Sequence, residues 1–266
     1  MAVRPLRLEE LAEVLAFDFD EASRGIPKLN VDWRREDQEQ AVLSTCSSLI
    51  TVVHDGESRV VQFSHFSVKE FLMSDRLVAA VGDISSHHIM LEPAHTILAQ
   101  ACLGVLLGLD DSTRETSVQR FPLAEYAARH WVDHSLFENV SLRIKDGMEN
   151  LFDPEKPHFS RWTRIHDMDD NPWGLADGET RPERLEAAPV YYATLCGFPD
   201  VVEKLISEHP EHVNARGGAC GTGLHVASRS NRIKVVQSLL KHGAEVNALG
   251  QWERTPCGGY SNTAPT

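Results

Sequence analysis

Apolar residues recur at helical spacing in the N-terminal third of the chain, first over 6–17 and again over 36–49. Two short runs rich in β-branched residues follow, 49–53 and 59–63, and the polar stretch between them is typical of a turn. The next segment, 64–75, has the spacing of an amphipathic helix. Its residues predicted to face a core are Phe66, Val68, Phe71 and Leu72. Helix, helix, hairpin, helix is the order of a winged helix, which we place at residues 1–80.

The apolar pattern stays helical through residues 81–170, which we interpret as a helical connector. Its predicted helices cover 92–109, 123–134, 137–152 and 156–168. Pro93 is predicted at the first position of its helix, and Pro122 opens the next one, because a missing amide hydrogen is tolerated there. The aromatic residues predicted to form the core are Trp131, Phe137, Phe152, Phe159 and Trp162. Residues 171–187 combine proline, glycine and charge without a period, which predicts a linker.

Two C-terminal segments, 188–215 and 222–248, repeat one pattern of apolar and polar positions. Asn214 near the end of the first segment, for example, has its counterpart in Asn247 near the end of the second. Thr222 stands where the N-cap of a helix belongs, since its hydroxyl can pair with a free amide of the first turn. The apolar stripe predicted for the following helix consists of Val235, Val236, Leu239 and Leu240. The repetition therefore predicts two stacked helical pairs.

A repeat that opens with T-x-L-H-x-A, closes with G-A-x-V-N and recurs with a period of about 33 residues resembles the ankyrin repeat. The second segment departs from the family at Gly223, where proline is usual, and at Asn231, where glycine is usual. Asparagine tolerates a left-handed backbone, so the turn is expected to survive. Tyr191 takes the place of the histidine in the first segment, as in a capping repeat. We assign ankyrin repeats to 188–257, with a partial third repeat, and a disordered tail to 258–266.

The string F-S-H-F-S-V-K-E-F-L over 63–72 resembles the end of the winged-helix domain that follows the nucleotide-binding core of NACHT-type signal-transduction ATPases. Strings over 95–103 and 122–131 are similar to fungal members with C-terminal ankyrin repeats, so the resemblance covers about residues 1–170. It implies that His65 senses the nucleotide state through the β-phosphate of ADP if a NACHT domain is supplied. The alternative for His65 is a structural histidine at a helix N-terminus. The chain contains no G-x-x-x-x-G-K-[ST] string, so we expect no cofactor.

Charge and cysteine usage narrow the choice of partners. The 266 residues carry 39 acidic and 26 basic side chains, a net charge of -13, which disfavours nucleic acid. Five scattered cysteines without a CxxC motif are typical of reduced thiols in the cytoplasm. The longest apolar run, 99–109, is too short to span a bilayer, and no signal-peptide pattern opens the chain. We therefore expect a cytoplasmic chain without a membrane partner.

Three weaker patterns have the residue types of metal or phosphate sites. His130 and His134 have the i, i+4 spacing of zinc ligands, but the metalloprotease glutamate is missing, so two surface histidines are the favoured interpretation. A calcium-loop pattern, in which proline replaces the required glycine, is formed by Asp167, Asp169 and Asn171. The glycine-rich stretch 217–221 is predicted to form a turn. We expect no metal and no catalytic residue.

These patterns predict a mainly α protein with a small winged-helix domain, a helical connector and an α-solenoid of ankyrin repeats. The expected function is non-catalytic protein–protein interaction and regulation, resembling the region after the NACHT domain of a fungal NACHT-ankyrin sensor. The expected partners are a protein ligand on the repeats and an upstream NACHT ATPase domain. A freestanding ankyrin-repeat adaptor is the alternative, and an NTPase is disfavoured. The residues expected at the protein-binding hairpins are Arg216, Gln251, Trp252, Glu253 and Arg254.

The repeats are also expected to be unequal in stability, because each repeat buries its apolar stripe only against a neighbour. The residues expected to lack part of their cover are Val236, Leu239 and Leu240. The first repeat is expected to dock on the helical connector, and its predicted contacts are Tyr191, Tyr192 and Leu205.

Overall fold

The computed structural model describes residues 2–19, 25–46, 48–56, 58–79, 85, 87–169 and 187–250. The chain divides into two units. The first comprises residues 1–148 and 164–166, and the second comprises residues 149–163 and 167–266. Helices dominate both units, and the predicted mainly α fold class is confirmed.

The first unit opens with the elements of a winged helix. They are α1 (Leu8–Val14), β1 (Phe17–Asp18), β2 (Lys28–Leu29), α2 (Gln38–Cys46), β3 (Ile50–Asp55), β4 (Ser58–Phe63), α3 (Phe66–Leu72) and α4 (Asp75–Val78). Strands β3 and β4 form the predicted antiparallel hairpin, in which Val52 pairs with Val61. The turn contains Gly56 at a φ of 60°, a conformation that favours glycine. The pattern missed the ribbon of β1 and β2 because strands this short carry no periodicity.

The connector contains more breaks than its apolar pattern predicts. Its helices are α5 (Leu91–Gly108), α6 (Arg114–Arg120), α7 (Ala124–Ser135), α8 (Val140–Arg143), α9 (Lys145–Phe152) and α10 (His158–Ile165). The helix predicted over 137–152 is divided at Ile144, whose φ of -110° and ψ of 13° leave the helical region. Pro93 is the third residue of α5 and not the first, which still leaves it in the first turn, where amides lack helical partners.

Helices α5 and α7 form the core of the first unit, and they pack against each other. Cys102, Leu103 and Leu106 are fully buried on α5, and Trp131 is fully buried on α7. Among the described residues, α5 is the one helix with the length and composition to cross a membrane, with 18 residues and a mean hydropathy of 1.2. This helix is longer than the apolar run 99–109, on which the expectation of no membrane-spanning segment is based. Core helices of soluble proteins meet the same criteria, and this one carries a buried face.

A glycine on α5 allows the β1–β2 ribbon to approach this core closely. A Cβ atom at Gly104 would lie 2.5 Å from the Phe17 ring and 2.9 Å from the Pro27 carbonyl oxygen. Both distances are shorter than any side chain tolerates, so only glycine fits. The ribbon therefore packs on the helix backbone itself.

The second unit contains two helical pairs joined by a hairpin. Its elements are α11 (Pro189–Cys196), α12 (Pro199–Glu208), the 3₁₀ helix Pro210–Asn214, β5 (Arg216–Gly217), β6 (Gly221–Thr222), α13 (Gly223–Arg229) and α14 (Ile233–Lys241). Gly197 and Asn231 follow the first helix of each pair, with φ values of 85° and 52°. The predicted left-handed turn at Asn231 is confirmed. Gly243, after α14, has a φ of 86° and ends that helix.

An aromatic cluster packs on the first helical pair within the second unit. Phe152 and Trp162 are fully buried and meet edge to face, with ring centroids 5.8 Å apart. Tyr192 on α11 lies 5.1 Å from Phe159 and 6.1 Å from Trp162, also edge to face. The predicted contact of Tyr192 with the connector helices is confirmed. Of the five aromatic residues predicted as core, Phe137 and Phe159 are only half-buried.

Candidate functional site

The hairpin of β5 and β6 is the first surface where the sequence predicts protein binding. Arg216 is exposed there, and its guanidinium donates to the Leu249 carbonyl oxygen. The preceding Asn214 donates from Nδ2 to the Gly243 carbonyl oxygen at 3.2 Å and accepts from the Glu245 amide at 2.8 Å. The segment from Asn214 to Arg216 therefore links the two repeats, and the Arg216 side chain remains exposed. The other predicted binding residues, 251–254, lie outside the described part of the chain.

A buried tyrosine and aspartate hold the turn of this hairpin, residues 218–220. The Tyr191 hydroxyl donates to Asp169 Oδ2 at 3.0 Å and accepts from the Cys220 amide at 3.1 Å. The Ala219 amide donates to the same Asp169 oxygen at 2.7 Å. Burial raises the pKa of the Tyr191 phenol, with the Asp169 charge as the next cause. The tyrosine that replaces the usual histidine thus fastens the hairpin, a role that sequence spacing does not reveal.

The carboxylates of the calcium-loop pattern are engaged in the same network. Asp167 Oδ1 accepts from the Tyr192 hydroxyl at 2.5 Å and from the Asp169 amide at 3.0 Å. Asp169 faces Tyr191 and the hairpin, as described above. The two carboxylates therefore bind the first repeat, and Asn171 lies outside the described residues.

The second repeat retains the histidine of the ankyrin pattern. The Thr222 amide donates to His225 Nδ1 at 3.3 Å, and the Thr222 hydroxyl lies 2.7 Å from the same nitrogen. Both residues are buried, and they form a capping box at the start of α13. The predicted N-cap role of Thr222 is confirmed.

Helix α3 presents a second candidate surface, the α3 aromatic surface, formed by His65, Phe66 and Phe71. His65 caps the helix, since its Nδ1 accepts from the Ser67 amide at 3.2 Å. Its ring lies 4.7 Å from that of Phe66. Phe66 is 68% exposed and Phe71 is 52% exposed, so the prediction that both face a core is wrong.

The geometry of a short helix explains this error for Phe66. Val68 and Leu72 stand at i and i+4, share one side of α3, and are half-buried. Phe66 stands at i-2 relative to Val68, which places it on a different side of the helix. Phe71 stands at i+3 from Val68, so helix periodicity does not account for its exposure.

The histidine pair expected on the surface of α7 separates into two environments. His134 is fully buried: its Nε2 lies 2.8 Å from the Tyr126 hydroxyl, and its Nδ1 lies 2.9 Å from Nδ1 of His95. Burial, followed by the nearby His95, lowers the pKa of His134 to about 3. His130 is half-buried and pairs with Asp133 at 3.1 Å. The expectation of two surface histidines is wrong for His134.

A cleft of about 640 Å³ lies beside α1 and α2 in the first unit. Trp33, Arg34 and Glu13 line it. The Glu13 carboxylate accepts from the Leu123 amide at 2.6 Å and pairs with the Arg34 guanidinium. Burial raises the pKa of Glu13, while Leu123 and Arg34 oppose the rise. The hydrogen bond from the Leu123 amide therefore holds the start of α7 against α1.

Two parts of the chain match known families, and both families agree with the helices and strands described above. Residues 1–82 match the family described as GPI inositol-deacylase, winged helix domain. Residues 222–251 match the ankyrin repeat. The chain therefore combines a winged-helix domain of the GPI-inositol-deacylase type with an ankyrin repeat, and ankyrin repeats generally mediate protein–protein interactions. The predicted winged helix and an ankyrin repeat are confirmed, and the number and bounds of the repeats over 188–257 stay predictions.

Similar proteins differ in how much of the chain they cover. Azaphilone pigments biosynthesis cluster protein L of Monascus ruber is 30% identical over 260 residues, which are 92% of this chain and 54% of that protein. The chain thus spans about half the length of this relative. Serine/threonine-protein kinase VIK of Arabidopsis thaliana is 49% identical over 55 residues, which are 21% of this chain and 13% of the kinase. Alpha-latrocrustotoxin-Lt1a of Latrodectus tredecimguttatus is 37% identical over 68 residues, which are 26% of this chain and 5% of the toxin.

Proposed function

We propose that this chain is a non-catalytic interaction and regulatory module that acts in the cytoplasm as the post-NACHT part of a fungal NACHT-ankyrin signalling architecture. The combination of a winged helix and an ankyrin repeat supports a regulatory role through protein contacts. The α3 aromatic surface is the single observation that carries the proposal furthest. The exposed Phe66, in ring contact with the helix-capping His65, and the exposed Phe71 on the same helix are apolar side chains of the kind that protein interfaces use.

In this proposal the partner of the α3 aromatic surface is a NACHT-type ATPase domain in its ADP-bound state. Phe66 provides apolar contact area, and aromatic anchors of this kind carry much of the binding energy of interfaces. His65 provides an imidazole that reaches the β-phosphate of ADP. Its Nδ1 accepts from the Ser67 amide in the helix cap, and in this proposal the other ring nitrogen makes the contact with the phosphate.

The test is binding to a fungal NACHT-type ATPase domain supplied as a separate polypeptide. We expect Phe66→Ala to weaken binding by about 30-fold, since loss of an aromatic anchor typically costs about 2 kcal/mol. His65→Ala should abolish the preference for the ADP-bound over the nucleotide-free domain. Leu142→Ala is the matched control, because Leu142 is a similarly exposed apolar side chain elsewhere in the first unit. Equal binding by all three variants, or no binding by the wild type, would leave the freestanding adaptor as the better account.

The chain itself is proposed to be neither an ATPase nor a nucleotide-binding protein. Phosphate affinity in such proteins comes from a glycine-rich backbone cradle and its lysine, and no Gly-Lys pair occurs in this sequence. Titration of a fluorescent ATP analogue into the isolated chain should give no saturable signal. Micromolar binding would contradict this part of the proposal.

The ankyrin repeats are proposed to bind a separate protein ligand through their hairpins. Arg216 lies at the first hairpin, and the repeat period predicts Trp252 and Arg254 at the next one. Alanine substitution of Trp252 or Arg254 should weaken ligand binding by about 2 kcal/mol. Unchanged affinity in both variants would remove these residues from the interface.

A further inference from the structure

Two histidines and a glutamate converge at the 3₁₀ helix that joins α12 to the hairpin. His209 is the N-cap of this 3₁₀ helix, and the His212 amide donates to its carbonyl oxygen at 3.0 Å, which brings the two residues into one turn. Their rings are stacked, with centroids 5.3 Å apart and planes at 22°. Glu211 Oε1 lies 3.5 Å from His209 Nδ1 and 3.9 Å from His212 Nε2.

These separations suit a tetrahedral metal ion. Bonds from zinc to nitrogen and oxygen of about 2.0–2.2 Å place neighbouring tetrahedral ligand atoms roughly 3.4 Å apart. The three candidate ligand atoms all lie within 4.8 Å of one another, so small side-chain rotations complete the set. We propose that His209, Glu211 and His212 form a Zn²⁺ site with a fourth position open to water.

The backbone of the turn supports metal binding. Pro210 lies between the two histidines, and its fixed φ keeps the turn preformed. The ligand set therefore needs little backbone rearrangement to hold an ion.

The position of the cluster gives the ion a structural consequence. Asn214, which closely follows His212, bonds to Gly243 and Glu245 in the second repeat. An ion that binds the folded turn stabilises it by mass action. Zn²⁺ is therefore expected to stiffen the junction between the repeats, independently of the proposed function.

The repeat supplies a matched control for the experiment. His242 occupies the position of His209 in the second copy, and glycine and alanine follow it in place of proline and glutamate. His242 Nδ1 lies 2.8 Å from the Ser238 carbonyl oxygen. His242→Gln therefore removes a matching histidine that lacks a second histidine nearby, since Glu245 stands at the position of His212 and Ala244 at that of Glu211.

The test measures Zn²⁺ and Co²⁺ binding to the full, tag-free chain by calorimetry and visible absorption. We expect one ion per chain, the absorption of four-coordinate Co²⁺, and a Zn²⁺-dependent rise in Tm. His209→Gln and His212→Gln should each weaken binding roughly tenfold or more, and His242→Gln should not. Circular dichroism without metal checks that all three variants fold alike. Equal affinity in all three variants, or no saturable binding by the wild type, would overturn the proposal.

Discussion

The two outer helices of the repeats, α12 and α14, carry the same apolar pattern but differ in burial. Val201 and Leu205 on α12 are buried, as are their counterparts Val235 and Leu239 on α14. On the adjacent side, Ile206 is 1% exposed whereas its counterpart Leu240 is 44% exposed. Val202 is likewise buried, and Val236 only half-buried. The same residue types thus have different energetic roles in the two copies.

Stacking explains the difference. Helix α12 contacts α14, so the side of α12 that carries Ile206 is covered by the second repeat. The corresponding side of α14 is partly open in the described structure. The expected exposure of Val236 and Leu240 is confirmed, whereas that of Leu239 is wrong, because Leu239 lies on the side that is buried in both copies. Stability in a repeat protein comes from interfaces between neighbours as well as from each repeat.

Replacing the matched residues Ile206 and Leu240 with alanine should reveal the largest difference in stability between the two repeats. We expect Ile206→Ala to cost about 2–5 kcal/mol, as for other fully buried aliphatic side chains. Leu240→Ala should cost under about 1 kcal/mol, because much of that side chain is already in water. Urea unfolding followed through amides of the repeat helices measures both values. Similar costs would mean that α14 is covered as completely as α12.

Removing the hydroxyl that fastens the hairpin to the first repeat should have the next largest effect. Tyr191→Phe leaves the buried Asp169 carboxylate and the Cys220 amide each without one hydrogen bond, which typically costs about 1–3 kcal/mol. Tyr192→Phe is the control, because its partner Asp167 is only half-buried and can bind water instead. A larger loss of stability in Tyr192→Phe would contradict this account of the hairpin.

A lower pH should decrease the stability of the first unit, and we expect the order of stability of the two repeats to stay the same. The pKa of His134 is about 3 in the folded chain and about 6.5 when unfolded, so the unfolded state binds more protons between these values. Stability from the neutral histidine is complete well above pH 6.5 and falls as the pH decreases, by about 1.4 kcal/mol between about pH 8 and about pH 5.5. Stability derived from amide exchange in α5 and α7 at these two pH values measures this loss. His134→Gln should flatten the dependence, and His130→Gln should retain it.

Replacing Gly223 with the proline that is usual in ankyrin repeats should give a small gain in stability. Gly223 begins α13 just as Pro189 begins α11 at the matching position of the first copy. An added Cβ would meet only ordinary contacts, 3.6 Å from Thr194 Oγ1 and beyond. Gly223→Pro should therefore stabilise the repeat by about 0.4–1 kcal/mol, by restricting the unfolded chain. A lower Tm in this variant would mean that the two starts differ in backbone conformation.

Local patterns predicted the parts of the fold that depend on neighbours in sequence. Apolar spacing located α1, α5, α7 and the β3–β4 hairpin, and the repeat period located the left-handed turn at Asn231. The division at Ile144 was missed, because the apolar spacing continues through the break.

The candidate surfaces were harder to predict, because they depend on contacts distant in sequence. Asp169 bonds to Ala219 at the hairpin, and His134 on α7 meets His95 on α5, so spacing within one helix could not reveal either pair. The exposure of Phe66 depends on which sides of α3 the neighbouring elements cover. The cluster at His209 was visible as His-Pro-Glu-His, but only the 3₁₀ turn brings its side chains together.

Hydrogen exchange of the two outer helices tests the central claim most directly. Amides of α14, Ile233–Lys241, should exchange well before those of α12, Pro199–Glu208, in a monomer at neutral pH. The predicted order follows from the half-open side of α14 and the covered side of α12. Equal protection of both helices, at the level of global unfolding, would contradict the claim that stacking makes the two copies unequal.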